Sequence, residues 1–221
     1  MTPPQTRVRW AKTCRLVPSR YPTVGVFDRV ASPDDLPELF ELEGWTNDRL
    51  STEVGLLHVV PSEEWVVGPM SSVVMAAFCH PPAGGARFTH DTRGGWYAAR
   101  TLTTALAESI HRRAQELAEI GMPDTRLEMR LYHADFDARF HDLREHAAQW
   151  REALDPTSYE RSQDLGQRLF EGRSNGIVYP SVRDQGECLV SFRPKLVTNV
   201  QVGGHFEYRW DAGRAVATRT A

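Results

Sequence analysis

Three short segments of this chain carry residue types that could do chemistry together. Trp96-Tyr97-Ala98-Ala99-Arg100 offers an aromatic platform, and Ala105-Leu106-Ala107-Glu108 follows it with a carboxylate. Farther along, Gly176-Ile177-Val178-Tyr179-Pro180-Ser181-Val182-Arg183 joins a short apolar run to a proline-braced turn that carries a hydroxyl and a guanidinium. These are the groups from which a nucleotide pocket is built. Guanidinium forks match phosphate oxygens, and an aromatic face stacks on a base.

Each residue also has a plain structural reading. Glu108 lies about 200° around a helix from Leu106, given 100° per residue, so it is off the apolar stripe. Its face-mates are Thr104, His111 and Arg112, and a solvated Glu108–Arg112 pair would be worth only a few tenths of a kcal/mol. Ser181 after Pro180 reads equally as a turn or helix cap, and it is outside any GxSxG nucleophile elbow. Tyr97, following Trp96 and two glycines, could simply pack a core edge. Arg183 is a phosphate anchor or an exposed strand end. The eight histidines form no HxH or HExxH pair, so no metal site is supported. GxxxxGK[ST] and GxGxxG are both absent, which removes the two commonest nucleotide loops.

The elements that must position these groups follow from periodicity and punctuation. Val8–Val17 reads as a strand containing Arg15, broken by Pro18 and Pro22. Ser32-Pro33-Asp34-Asp35 is a helix start, with a serine N-cap, proline at N1 and acids in the first turn; that helix runs to about Glu43. Met70–Cys79 is long and apolar enough for a buried helix, ended by His80-Pro81-Pro82-Ala83-Gly84-Gly85. Arg87–Phe88 and Trp96–Ala99 read as short strands around a polar loop. A long helix is predicted from about Thr103 to Ile120, with Leu102, Leu106, Ile110, Arg113, Leu117 and Ile120 on one face. Leu127, Met129 and Leu131 mark a strand over 126–134, whereas Asp135–Arg144 reads as a polar loop, with a short strand at Phe140–Leu143 as the alternative. A helix at Tyr159–Phe170 and strands at Ile177–Tyr179, Cys188–Phe192 and His205–Trp210 complete an α+β pattern.

Composition bounds the rest. A chain of 221 residues with 41% hydrophobic and 25% charged residues reads as one soluble globular domain spanning 1–221. A net charge of −3 argues against direct nucleic-acid binding. Only Lys12 and Lys195 are lysines, so arginine supplies the remaining 24 of 26 basic residues, which by itself is most simply a coding bias. Cys14, Cys79 and Cys188 are odd in number and widely spaced, as suits free thiols in a reducing cytoplasm. The N-terminus lacks the apolar core of a signal peptide. No stretch approaches the length of a membrane span, so no membrane association is expected.

Taken in order, the segments resemble the RES-domain family, named for its arginine, glutamate and serine. The resemblance rests on Arg15 in Cys14-Arg15-Leu16-Val17-Pro18, Arg87 in Ala86-Arg87-Phe88, Tyr97, Glu108 and Ser181, followed by the strand at Cys188–Phe192. It covers a core of about 12–200, with residues 35–80 resembling a helical insertion between the two arginines. Phe88 departs from the tryptophan common in the family. The resemblance implies an ADP-ribosyltransferase-like split β core with flanking helices and chemistry on NAD. NAD would be a substrate, cleaved at the nicotinamide–ribose bond by hydrolysis or by phosphorolysis with phosphate as co-substrate, with no cofactor or metal. It implies Glu108, Ser181 and Arg87 as catalytic residues, and Arg15, Arg87, Tyr97, Glu108 and Ser181 as the NAD-binding set. It implies a toxin neutralised by, and assembling with, an Xre-like antitoxin. The alternatives are a protein ADP-ribosyltransferase toxin and an inactive antitoxin-binding module.

Overall fold

The computed structural model describes residues 1–19, 59–122, 125–211 and 214–220, together with Asp28 and Leu57. The helix expected from Ser32 to about Glu43 lies outside the described residues. So does half of the segment read as an insertion.

Among the described residues seven strands form the core: β1 (Gln5–Pro18), β2 (Trp96–Ala99), β3 (Arg126–Asp142), β4 (Gly176–Pro180), β5 (Glu187–Ser191), β6 (Thr198–Asp211) and β7 (Arg214–Arg219). Among the described residues three α-helices pack on them: α1 (Ser71–Cys79), α2 (Leu102–Glu119) and α3 (Glu160–Glu171). The sheet order is β1-β2-β5-β4-β3-β6-β7, with β1 also pairing β3. This is a mixed α+β architecture, and the pairing is split. Long antiparallel ladders tie β1 to β3 and β3 to β6, with β7 on β6. A second ladder ties β2 to β5 and β5 to β4. The two groups meet through Cys14↔Ala99 on one side and the parallel pairs His141↔Ile177 and Asp142↔Val178 on the other.

Two apolar clusters fill the structure. One contains Trp10, Val73, Val74, Met75, Phe78, Trp96, Phe136 and Phe140, and it takes in Leu57, Val60 and α1. The other contains Phe88, Ala105, Leu117, Leu165, Leu169, Tyr179, Cys188, Phe192 and Tyr208, and it lies under α2 and α3. The site residues sit at the second.

The sequence misread three elements. Arg87–Phe88 is not a strand but the turn between Ala86 and Thr89, which bridge each other. Asp135–Arg144 is not a loop: β3 runs unbroken to Asp142, so the strand at Phe140–Leu143 is the end of β3 rather than a separate element. Its polar residues hide a period of two: Phe136 and Phe140 are buried, while Asp137 points outward to Arg7 and Arg9 of β1. Ile120, placed on the buried face of the long helix, is exposed, because α2 ends at Glu119 and the chain turns there. Strand β7 was not anticipated.

Candidate functional site

The site starts from the N-terminus of α2. Thr101 is in an extended conformation and caps the helix, its hydroxyl accepting from the Thr104 N–H. The buried Thr104 hydroxyl donates to Asp184 Oδ2 at 2.7 Å, which pins the β4–β5 turn to the helix. Gly186 permits this approach. A Cβ there would lie 1.9 Å from Thr104 Oγ1. Within the turn, the Ser181 N–H donates to the Gly186 carbonyl at 2.8 Å.

That scaffold aims Ser181 at Glu108. The Ser181 hydroxyl donates to Glu108 Oε1 at 2.6 Å, while its oxygen accepts from the Arg183 and Asp184 N–H groups at 3.1 Å each. An oxygen already accepting two hydrogen bonds is a poor nucleophile. The arrangement therefore fits a hydroxyl that fixes the carboxylate rather than one that attacks. The Glu108–Arg112 pair suggested by helical spacing does not form, because Arg112 and Arg113 both bind Glu116.

Arg87 is buried in the 86–89 turn. Its Nη1 donates to the Asp155 carbonyl at 2.7 Å, and its guanidinium lies 4.9 Å from the centre of the Tyr159 ring. Three elements hold this turn. From β2, the Tyr97 hydroxyl accepts from the Phe88 N–H at 2.9 Å and shares a hydrogen bond with Thr89 Oγ1. From α3, Gln163 donates to the Gly84 and Ala86 carbonyls, and Gly166 lies so close that a Cβ would be 2.0 Å from the Phe88 oxygen. From β4, Tyr179 takes the edge of Phe88 at 4.9 Å between ring centres. Tyr97 therefore positions the Arg87 turn through its hydroxyl. Burial pushes that hydroxyl up to about 12, against the opposing hydrogen bonds of Thr89 and Phe88 and the charge of Arg93.

Arg15 enters where the sheet splits. Its Nη1 donates to the Tyr97 carbonyl at 3.1 Å, and its guanidinium lies 4.9 Å from the centre of the Trp96 ring. Burial lowers its pKa to about 10, with Tyr97 opposing and Arg113 adding to the shift. It is still a cation at neutral pH.

The five residues therefore form two connected groups, Glu108 with Ser181 and Arg15 with Tyr97 and the Arg87 turn. The buried wall of β4 and β5 links them. Burial is the main cause that pushes up both the Tyr179 hydroxyl and the Cys188 thiol; Glu108 raises both further and Arg87 lowers both. A carboxylate and a guanidinium thus face one patch, where developing positive charge and a bound anion could be held side by side. Sequence reasoning missed Thr104 and Tyr159 as parts of this site. Thr104 carried the one available signal, its place one turn before Glu108 on the same helical face.

Two open surface hollows lie elsewhere. One, of about 410 Å³, is lined by Arg7, Val8, Arg9, Trp10, Arg100 and Arg144; the other, of about 450 Å³, is lined by residues that include Trp150, Arg161 and Asp164. Neither contains Glu108 or Ser181. The arginines of the first are bound to Asp137, Asp142 and Glu187. Chemistry, rather than concavity, singles out the Glu108–Ser181 region. Among the described residues no group of three or more His, Cys, Asp and Glu could hold a metal ion. Among them, too, no helix is long and apolar enough to cross a membrane.

The family model described as the RES domain matches residues 60–211, more than half of the chain. The uncharacterized protein y4oC of Sinorhizobium fredii (strain NBRC 101917 / NGR234) is 30% identical over 206 residues, covering 90% of this chain and 83% of that one. Among solved structures, a chain of the M. tuberculosis MbcT–MbcA toxin–antitoxin complex aligns with 91% of this chain and 86% of its own, at 15% identity and a TM-score of 0.48. The family match and the length of the alignment to y4oC lead to one conclusion: this chain belongs to the RES domain family.

Proposed function

We propose that this protein cleaves the nicotinamide–ribose bond of NAD, and that it is the toxin of a toxin–antitoxin pair, held in check by an Xre-like antitoxin with which it assembles. The observation that carries the catalytic part is the 2.6 Å hydrogen bond from Ser181 to Glu108, in a wall that also faces Arg87. The toxin and antitoxin parts rest on the RES resemblance and on family membership.

The geometry supports the following mechanism. Cleavage of a glycosidic bond to ribose passes through an oxocarbenium-like transition state. Glu108 is the group that would stabilise that positive charge, and Ser181 holds its carboxylate in one orientation. Arg87, with Arg15 at the split, would neutralise the pyrophosphate, for which guanidinium forks are well shaped. Tyr97 sets the Arg87 turn in place. Cationic nicotinamide leaves as a neutral molecule, taking the electron pair of the broken C–N bond. Water or phosphate then bonds to the ribose carbon and loses a proton, giving ADP-ribose or its 1″-phosphate. The reaction needs no strong acid and no metal. Three buried free thiols, Cys14, Cys79 and Cys188, are consistent with action in a reducing cytoplasm.

The test is product identification. Purified protein is incubated with NAD, with and without phosphate and with and without cell extract. Free nicotinamide with ADP-ribose or its phosphate supports the reading. ADP-ribose attached to extract protein would replace it with transfer to a macromolecule. Intact NAD in every arm would refute the proposed cleavage.

A further inference from the structure

Two buried nitrogen atoms beside Glu108 are unused by the mechanism above. His111 Nε2 and Arg183 Nε are both buried and have no hydrogen-bond partner among the described residues. Buried polar atoms are overwhelmingly paired, so an orphan calls for a reason. Two orphans flanking one carboxylate call for a shared one.

Their placement is fixed from both sides. His111 follows Glu108 by three residues on α2, which puts both side chains on one face. Arg183 lies in the turn that carries Ser181. Its backbone N–H donates to Ser181 Oγ at 3.1 Å, and its Nη2 donates to the Pro156 carbonyl. With that end of the guanidinium engaged, Nε–H remains directed into buried space. The order Arg183–Ser181–Glu108–His111 is thus continuous through hydrogen bonds and one helical turn.

The chemistry of the two atoms selects a ligand group. Arg183 Nε–H can only donate. His111 is held neutral: burial lowers its pKa most, then Arg183, with Arg87 and Arg112 adding and Glu108 opposing. These are the charged groups that face it, from its own helix, from the β4–β5 turn and from the 86–89 turn. With its proton on Nδ1, the neutral ring presents Nε2 as an acceptor beside the guanidinium donor, a pair that suits a hydroxyl, which accepts from one and donates to the other. A pyrophosphate oxygen of NAD has no proton to donate to the ring, and any phosphate would meet the charge of Glu108.

We propose that His111 and Arg183 form a hydroxyl-recognition subsite, which holds a hydroxyl of the ribose whose glycosidic bond is cleaved. This rests on the NAD reading above and adds the specificity determinant of that site. Both residues bind the sugar, and neither takes part in bond breaking.

The experiment is steady-state nicotinamide release by wild type, His111→Gln and His111→Ala from about pH 8 down to about pH 4, because burial and Arg183 place the titration of His111 below the usual histidine range. NAD is compared with an analogue lacking the 2′-hydroxyl of the nicotinamide ribose and one lacking the 3′-hydroxyl. Protonation of His111 at low pH removes its lone pair, so the wild-type KM for NAD rises about tenfold at the acid end, the effect of one lost hydrogen bond. His111→Gln keeps an amide that accepts and donates but does not titrate, so its KM stays near wild type and flat with pH. His111→Ala has the raised KM at every pH, with kcat within about threefold of wild type. It also no longer discriminates against one of the two analogues. A merely structural histidine would not give a KM that glutamine rescues and pH moves. If the wild type releases nicotinamide while His111→Ala matches it in KM, pH profile and analogue preference, the subsite is refuted and the NAD reading stands. If the wild type neither releases nicotinamide nor binds NAD in calorimetry, both fall.

Discussion

Replacing Ser181 by alanine removes three hydrogen bonds and leaves the turn around them in place. The lost bonds are the one donated to Glu108 and the two accepted from the N–H groups of Arg183 and Asp184. The turn keeps its backbone bond from Ser181 to Gly186 and its latch from Thr104 to Asp184. A hydrogen bond to a charged group contributes about 1.5–3 kcal/mol when buried. Glu108 is half-buried, so the lower end applies. The two N–H groups can turn to water, which adds a few tenths, for a total loss of about 2 kcal/mol. For a chain of this size that is a fall of about 6 °C in Tm. Ser181→Ala also frees Glu108 to rotate, and kcat for nicotinamide release should fall about 10- to 100-fold, as when one preorganising group is lost. The decisive assay is a double-mutant cycle by urea denaturation with Ser181→Ala, Glu108→Ala and the double variant. If Ser181 acts through Glu108, the double variant is less destabilised than the sum of the singles by about 1–2 kcal/mol. Additive effects would refute the claim that the two side chains work as a unit.

Gly186→Ala drives a methyl group into Thr104 Oγ1 and should cost about 1–3 kcal/mol in urea denaturation; adding Thr104→Ala should recover part of that loss. Tyr97→Phe removes the hydroxyl that holds Phe88 and Thr89, so steady-state kinetics should show a KM for NAD several-fold higher with a smaller change in kcat, and stability lower by about 1–2 kcal/mol. Away from the site, burial raises the carboxyl pKa values of Asp142 and Glu187, but hydrogen bonds from Arg144, and from Arg100 to Glu187, outweigh it and hold both below their usual range. Stability from Asp142 is therefore present above its unfolded pKa of about 4 and is lost as pH falls through the lower folded value. Asp142→Asn should be less stable than wild type by about 2 kcal/mol at pH 7, with the gap in urea midpoints shrinking toward about pH 3.

The fold was legible where one face of an element is apolar. Val8–Val17, Met70–Cys79, Thr103–Ile120 and Tyr159–Phe170 each lie within a residue or three of an observed element. It was illegible where charge hides alternation. Along 135–142, outward Asp137 finds partners only across β1, through Arg7 and Arg9 far away in sequence. Short loops held from outside were equally opaque. The Arg87 turn takes its shape from Tyr97, Gln163 and Gly166, none of which is adjacent to it. At the site, local spacing gave Glu108 an i+4 partner in Arg112, and only tertiary structure shows that Arg112 binds Glu116 while Ser181 reaches Glu108. The ordered set of motifs pointed to those two residues, because order along the chain carries information that pair spacing on one helix does not.

The most direct measurement is the initial rate of nicotinamide release from NAD by wild type and by Glu108→Gln, with both proteins shown to be folded by their urea midpoints. Glutamine keeps an acceptor for the Ser181 hydroxyl and removes the negative charge. The account predicts release by the wild type and a loss of at least about 100-fold in kcat for Glu108→Gln, with little change in stability. Release by Glu108→Gln at the wild-type rate would contradict it.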